Sequence, residues 1–83
     1  MNREWVLFHL AEAADALRQA IQDIKETPDY GDGEFTIDMQ HIYHHVNTAW
    51  NSRHADPTDV EPGTDAQFNA WGELPQDLEM MQV

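Results

Sequence analysis

"REWVLFHLAEAADALRQAIQDIKE", residues 3–26, is the stretch whose reading decides the fold. Leu7, Leu10, Ala14, Leu17, Ile21 and Ile24 recur at intervals of 3, 4, 3, 4 and 3. A helix turns once in about 3.6 residues, so this alternation lines the six side chains along one stripe. That is the a/d pattern of a helix packing on another helix. Val6, Ala13 and Ala20 widen the stripe on one side, with Ala16 just beyond, and such small residues let a neighbouring helix approach closely. Asn2 is a suitable N-cap and Glu4 suits the positive end of the helix dipole. Lys25 suits the last turn, and Pro28 stops the helix.

The next stretch, "TPDYGDGEF", reads as a turn over 27–33, because Pro28, Gly31 and Gly33 interrupt regular structure. It is not a calcium loop. Setting Gly33 at the obligatory glycine position puts Pro28, Tyr30 and Met39 where oxygen ligands are required, and only Asp32 falls correctly. A second helix is expected over 34–53, with Phe35, Met39, Ile42, Val46 and Ala49 as its seam. Two helices joined by a short turn form an antiparallel hairpin.

Residues 54–83 change character: seven acids, no Lys or Arg, and three of the four prolines. Residues 54–63 read as an acidic linker. Residues 64–83 read as a docked C-terminal segment, because Phe68, Trp71, Leu74, Leu78, Met80 and Met81 offer apolar anchors. Thr64 with Gln67 three residues on forms a capping box, Gly72 is a helix stop, and Pro75 suits the first turn of another short helix. The expected fold is one small all-α domain over 1–83. An antiparallel helical hairpin carries short helices packed on it, and self-association completes a bundle.

Composition removes several classes of function. With no Cys there is neither a disulfide nor a Cys-ligated zinc. No apolar run approaches the ~18 residues of a membrane span. The N-terminal apolar run is broken by His9 and Glu12, unlike a secretory signal, so a cytoplasmic location is expected. Sixteen Asp and Glu against four Lys and Arg give a net charge of −12. Such a chain has little with which to neutralise phosphates or anionic lipid, so no direct nucleic-acid or membrane partner is expected. A basic protein partner fits the charge, as does the plain role of keeping a small protein soluble.

The most site-like stretch is "DMQHIYHHVNTAW", residues 38–50. On a helix Asp38, His41 and His45 share one edge, an Asp-x2-His-x3-His spacing that lets the side chains converge on one ion. A divalent transition metal (Zn, Fe, Ni or Mn) is the cofactor such a set takes, completed by His9, His54 or a second subunit. The pattern lacks the Glu of the zinc-protease motif, and helix one offers no second Glu-x-x-His for a di-metal centre. The plainer reading is a solvated or boundary face, with His44 pointing further outward. A pH-responsive interface is the third, because His titrates near neutrality.

Nothing else resembles a catalytic constellation. Ser52 is the only serine and has no nucleophile-elbow glycines around it, so enzymatic activity is not expected. Trp5 and Phe8 lie opposite the main stripe of helix one, and Tyr43 and Trp50 lie opposite the Asp38/His45 edge. These four aromatics are packing anchors beneath the C-terminal segment or anchors for a partner. The chain reads as a small, acidic, non-catalytic protein-interaction or regulatory module that homodimerises. A metal-binding protein is the first alternative. The second is an acidic decoy of a nucleic-acid-binding surface, which the irregular placement of the acids disfavours.

Overall fold

The computed structural model describes residues 1–60 and 63–81. Among these residues three helices, α1 (Arg3–Glu26), α2 (Asp32–Asn51) and α3 (Asp65–Trp71), make an all-α fold in which α1 and α2 pack as a hairpin and α3 sits on α2. Among the described residues no helix is long and apolar enough to cross a membrane.

Local chemistry explains each boundary. Asn2 caps α1, its side-chain oxygen accepting from the Trp5 N–H at 3.2 Å. Asn2 also closes the hairpin: its own N–H donates to the Arg53 carbonyl at 2.7 Å, and its side-chain amide donates to that of Ala55 at 3.2 Å. At the other end the Thr27 N–H bonds the Asp23 carbonyl, and Pro28 follows. Helix α2 begins two residues earlier than its seam suggests, at Asp32, because Gly31 takes the N-cap position. There the Glu34 carboxylate accepts from the Gly31 N–H at 2.9 Å, and these backbone bonds hold the Glu34 carboxyl below its usual range. The α2 helix stops at Asn51, two residues before the expected end.

The face on which the helices meet is not the one the heptad spacing suggests. The buried residues of α1 are His9, Ala13 and Ala20, whereas Leu7, Leu10, Leu17, Ile21 and Ile24 are 45–65 % exposed. At ~100° per residue, the contact face lies about a quarter of a turn from the Leu/Ile stripe. Alanines allow the close backbone approach that branched side chains would block. On α2 the packing face is rotated from the expected seam towards the histidine edge. Ile42, Ala49 and Ser52 are buried, and Phe35 and Val46 are left exposed. Among the described residues the buried hydrophobic ones are Ala13, Ala20, Ile42 and Ala49, a small core.

Helix α3 forms as expected, with the Thr64–Gln67 capping box in place. It is tied down by amides of α2. Asn47 donates to the Gly72 carbonyl at 3.0 Å, and Asn51 donates to the carbonyls of Trp71 and Glu73 at 2.8 and 2.7 Å. Two asparagines four apart thus satisfy the carbonyls left open where α3 ends. Gly72 has an ordinary helical backbone, and its small size is what counts: a Cβ there would lie 2.7 Å from His44 Nδ1.

Beyond α3 two expectations are corrected. No further helical turn follows Pro75 among the described residues, and Leu74, Met80 and Met81 are exposed rather than docked. The segment is held by polar contacts instead. Asp77 accepts from Trp50 Nε1 at 2.8 Å and faces the Arg53 guanidinium at 3.6 Å, which together lower its pKa. The linker expected over 54–63 contains a turn at 57–59, and residues 61–62 lie outside the described part.

Candidate functional site

The rotation of the helices brings chemistry to the α1/α2 contact. His9 stands on the small-residue face of α1, one turn before Ala13, and meets the edge of α2 that carries His45. Their Nδ1 atoms are 2.9 Å apart, and His45 Nε2 lies 3.2 Å from His41 Nε2. The result is a chain of three imidazoles, His9–His45–His41, running from the buried contact to the exposed surface. A neutral imidazole has one donor and one acceptor, so His45 donates from one nitrogen and accepts at the other.

Burial sets the charge of this chain. His9 has its pKa lowered to about 4, first by burial and then by repulsion from His45 and His44. The pKa values of His45 and His44 are lowered too, with burial again the largest cause, although Glu12 partly opposes the shift at His45. The buried ring is therefore neutral at pH 7, able to accept a hydrogen bond or bind a metal but not to act as a fixed cation.

The sequence-selected residues are distributed as follows. His41 is exposed, while His45 and Asp38 are half-buried, His45 against His9 of α1. Asp38 accepts a hydrogen bond from the Tyr30 hydroxyl at 2.5 Å, a contact that raises the tyrosine pKa to about 12. Among the described residues no group of three or more His, Asp or Glu side chains is placed to hold one metal ion. The expectation that His44 points outward is corrected: it is half-buried, its ring 4.1 Å from that of Phe68 because α3 covers that flank. The histidines are thus not a uniformly solvated face.

Of the four aromatics, Trp5 is half-buried and central. Its indole N–H donates to Ser52 Oγ at 2.7 Å, and its ring contacts His9 and Trp71 edge-on at 4.4 and 6.2 Å. Ser52 in turn donates to the Thr48 carbonyl, so the only serine links α1 to the end of α2. Phe8 stacks beside Trp5 at 6.2 Å but remains 53 % exposed. Trp50 carries the Arg53 guanidinium on its face at 3.8 Å, and Tyr43 is half exposed.

Sequence reasoning named His9 only as one of several candidates to complete the Asp38/His41/His45 set, and not as the hydrogen-bond partner of His45, and it missed Asn47 and Asn51 as anchors of α3. The signal for His9 was present. Reading Ala13, Ala16 and Ala20 as the packing face places His9 on it one turn earlier. For the asparagines there was none, because the carbonyls they bind come from a segment twenty or more residues away.

The second feature is a bare apolar face. Leu10, Leu17 and Ile24 of α1 and Phe35 and Val46 of α2 are each 41–50 % exposed. Helical geometry puts all five on one side of the hairpin, opposite the side that α3 covers. Comparison of the chain with protein-family models, with characterised proteins and with solved structures finds no match.

Proposed function

We propose that this chain is a small, acidic, non-catalytic interaction module that works as a homodimer, two hairpins closing a four-helix bundle through the bare face. The observation that carries this reading is the Leu/Ile stripe of α1, spaced for helix packing yet 45–65 % exposed. Nothing described within the chain covers it: α2 occupies another face, and α3 is seven residues long and lies opposite. A long straight stripe with 3/4 spacing fits a second long helix, and a second copy supplies one with the same spacing. The five large residues of the stripe expose the equivalent of about two and a half side chains per copy. Burying them in both copies is worth ~8–15 kcal/mol at ~1.5–3 kcal/mol per side chain. That is the scale of the ~4–15 kcal/mol that association costs.

The charge of −12 sets two expectations. Copies repel one another at long range, so association tightens as salt is added. The assembled module offers an acidic outer surface to a basic protein partner in the cytoplasm. Sedimentation equilibrium from micromolar to millimolar protein, at low and high salt, tests the reading. A reversible dimer strengthened by salt is the expected outcome, and a monomer throughout refutes it.

A second reading is metal binding that starts from the His41–His45 pair and draws in Asp38, which is not yet placed with them, and one distance favours the pair. The 3.2 Å between the His41 and His45 Nε2 atoms is close to the roughly 3.3 Å that two imidazoles adopt on one tetrahedral zinc. Asp38 would exchange its bond with Tyr30 for the ion. Zn or Ni should then raise the melting temperature with the logarithm of its free concentration, an effect that fades below about pH 6. His41→Ala should abolish it and His44→Ala should not. No shift, or an equal shift in both variants, refutes the site.

A further inference from the structure

We propose that the cavity between α1, α2 and α3 is an aromatic cage for a quaternary ammonium group, carried by a small free molecule or by a fully methylated lysine. The cavity has a volume of about 280 Å³, at the small end of the range for ligand sites. Trp5 of α1 and Phe68 and Trp71 of α3 line it, and each keeps accessible surface: Phe68 is 60 % exposed and the two indoles are half-buried. The cavity lies on the α3 side of the hairpin, away from the bare Leu/Ile face, so it stands or falls independently of the dimer.

The arrangement of the rings makes this more than an apolar gap. The planes of Trp5 and Trp71 stand at 69° with their centroids 6.2 Å apart, so the two indoles meet as a corner and not as a closed stack. The Trp5 indole N–H is already committed to Ser52 Oγ, so this residue offers the cavity a ring and no donor. On α3, Asp65, Phe68 and Trp71 follow one another at intervals of three. The carboxylate therefore lies one turn from Phe68, and that ring one turn from Trp71. Asp65 also lines the cavity and is exposed, which places a negative charge at its mouth beside the rings.

Charge sets the class of ligand. The face of an aromatic ring is the negative end of its quadrupole and attracts a cation. No Lys or Arg is among the described residues that line the cavity, and burial keeps the His9 imidazole in its wall neutral at pH 7. The net charge of −12 concentrates cations around the chain and disfavours an anion. The aromatic lining then selects among cations. A primary ammonium has three N–H donors and a guanidinium five, and these must exchange water for acceptors on entry. A quaternary nitrogen has none, so it gives up water more cheaply and presents methyl groups to the rings.

Choline is the probe. Its comparators are 3,3-dimethylbutan-1-ol, which has the same shape without the charge, and ethanolamine, which has the charge with N–H donors. Titration of the full chain is followed by the indole N–H signals of Trp5 and Trp71, with Trp50, on another flank, as the internal control. Saturable shifts of Trp5 and Trp71 are expected with choline while Trp50 stays in place, and both comparators should bind about 3- to 30-fold more weakly. Trp71→Leu keeps an apolar side chain without the ring and should reduce choline to the level of the neutral alcohol. Asp65→Asn should weaken choline about 2- to 5-fold and leave the alcohol unchanged, a split that a loss of folding does not produce. A peptide carrying one trimethyllysine among neutral residues distinguishes the two sources: tighter binding than choline assigns the cage to a methylated protein, and equal or weaker binding to a free cation. The proposal is overturned by no saturable shift, by either comparator binding as well as choline, by an equal response of Trp50, or by Asp65→Asn acting alike on choline and the alcohol.

Discussion

Replacing Leu17 with Glu separates the bare face as an interface from the bare face as ordinary surface. Leu17 lies in the middle of the α1 stripe and is 45 % exposed. In the single chain the substitution gives up a side chain that is already half in water, a loss of ~1 kcal/mol. Glu is a good helix former, so α1 itself should persist. In the dimer the same change acts twice. Each copy loses the burial its partner supplied, again ~1 kcal/mol. Each must also place a carboxylate in an apolar seam, where the desolvation of an unpaired charge costs several kcal/mol. A total of at least ~4 kcal/mol corresponds to about a thousandfold weaker association. Sedimentation equilibrium measures that change, and circular dichroism checks that helix content is kept. Ile37→Glu is the control, since Ile37 is 66 % exposed and helical geometry places it off this face. The reasoning is refuted if Leu17→Glu associates as wild type does, or if Ile37→Glu weakens association equally.

Other consequences concern the fold itself. Asn51→Ala removes two bonds to the end of α3 and should cost ~1–2 kcal/mol, read as a lower urea midpoint and faster amide exchange in α3. Deleting residues 64–83 uncovers Trp5 and leaves the buried Asn47 amide without its carbonyl, so the melting temperature should fall markedly; an unchanged value would mean that the segment is passive. Gly72→Ala drives a methyl group against the His44 ring and should destabilise the docked segment more than the helix-favouring substitution gains, which thermal unfolding will show. His9 titrates near pH 4 in the fold against 6.5 for an ordinary histidine, so the unfolded chain takes up more protons between those values. Stability should be complete above pH 6.5 and decline as pH falls towards 4, by ~2–3 kcal/mol from this residue. His9→Gln should reduce the slope of urea stability across that window, the lowered pKa values of His44 and His45 keeping part of it, and an equal slope in both proteins would count against the assignment.

The amino-acid sequence determined the helices, because their signals are local. The 3/4 spacing between Leu7 and Ile24, the Asn2 cap and Pro28 define α1 to its last residue. The Thr64–Gln67 box and Gly72 likewise delimit α3. Which faces meet was not local. Leu17 and Ala13 are both apolar and both on a defensible stripe, and periodicity alone favours the one with the larger side chains. Close backbone approach favours the other. The hairpin packs through Ala13 and Ala20 and leaves the Leu/Ile stripe free, and that choice carries His9 to His45 and Trp5 to Ser52. The asparagine anchors of α3 and the packing of Trp71 on Trp5 depend on contacts across twenty to more than sixty residues. No window along the chain contains both partners, so only the tertiary structure decided them.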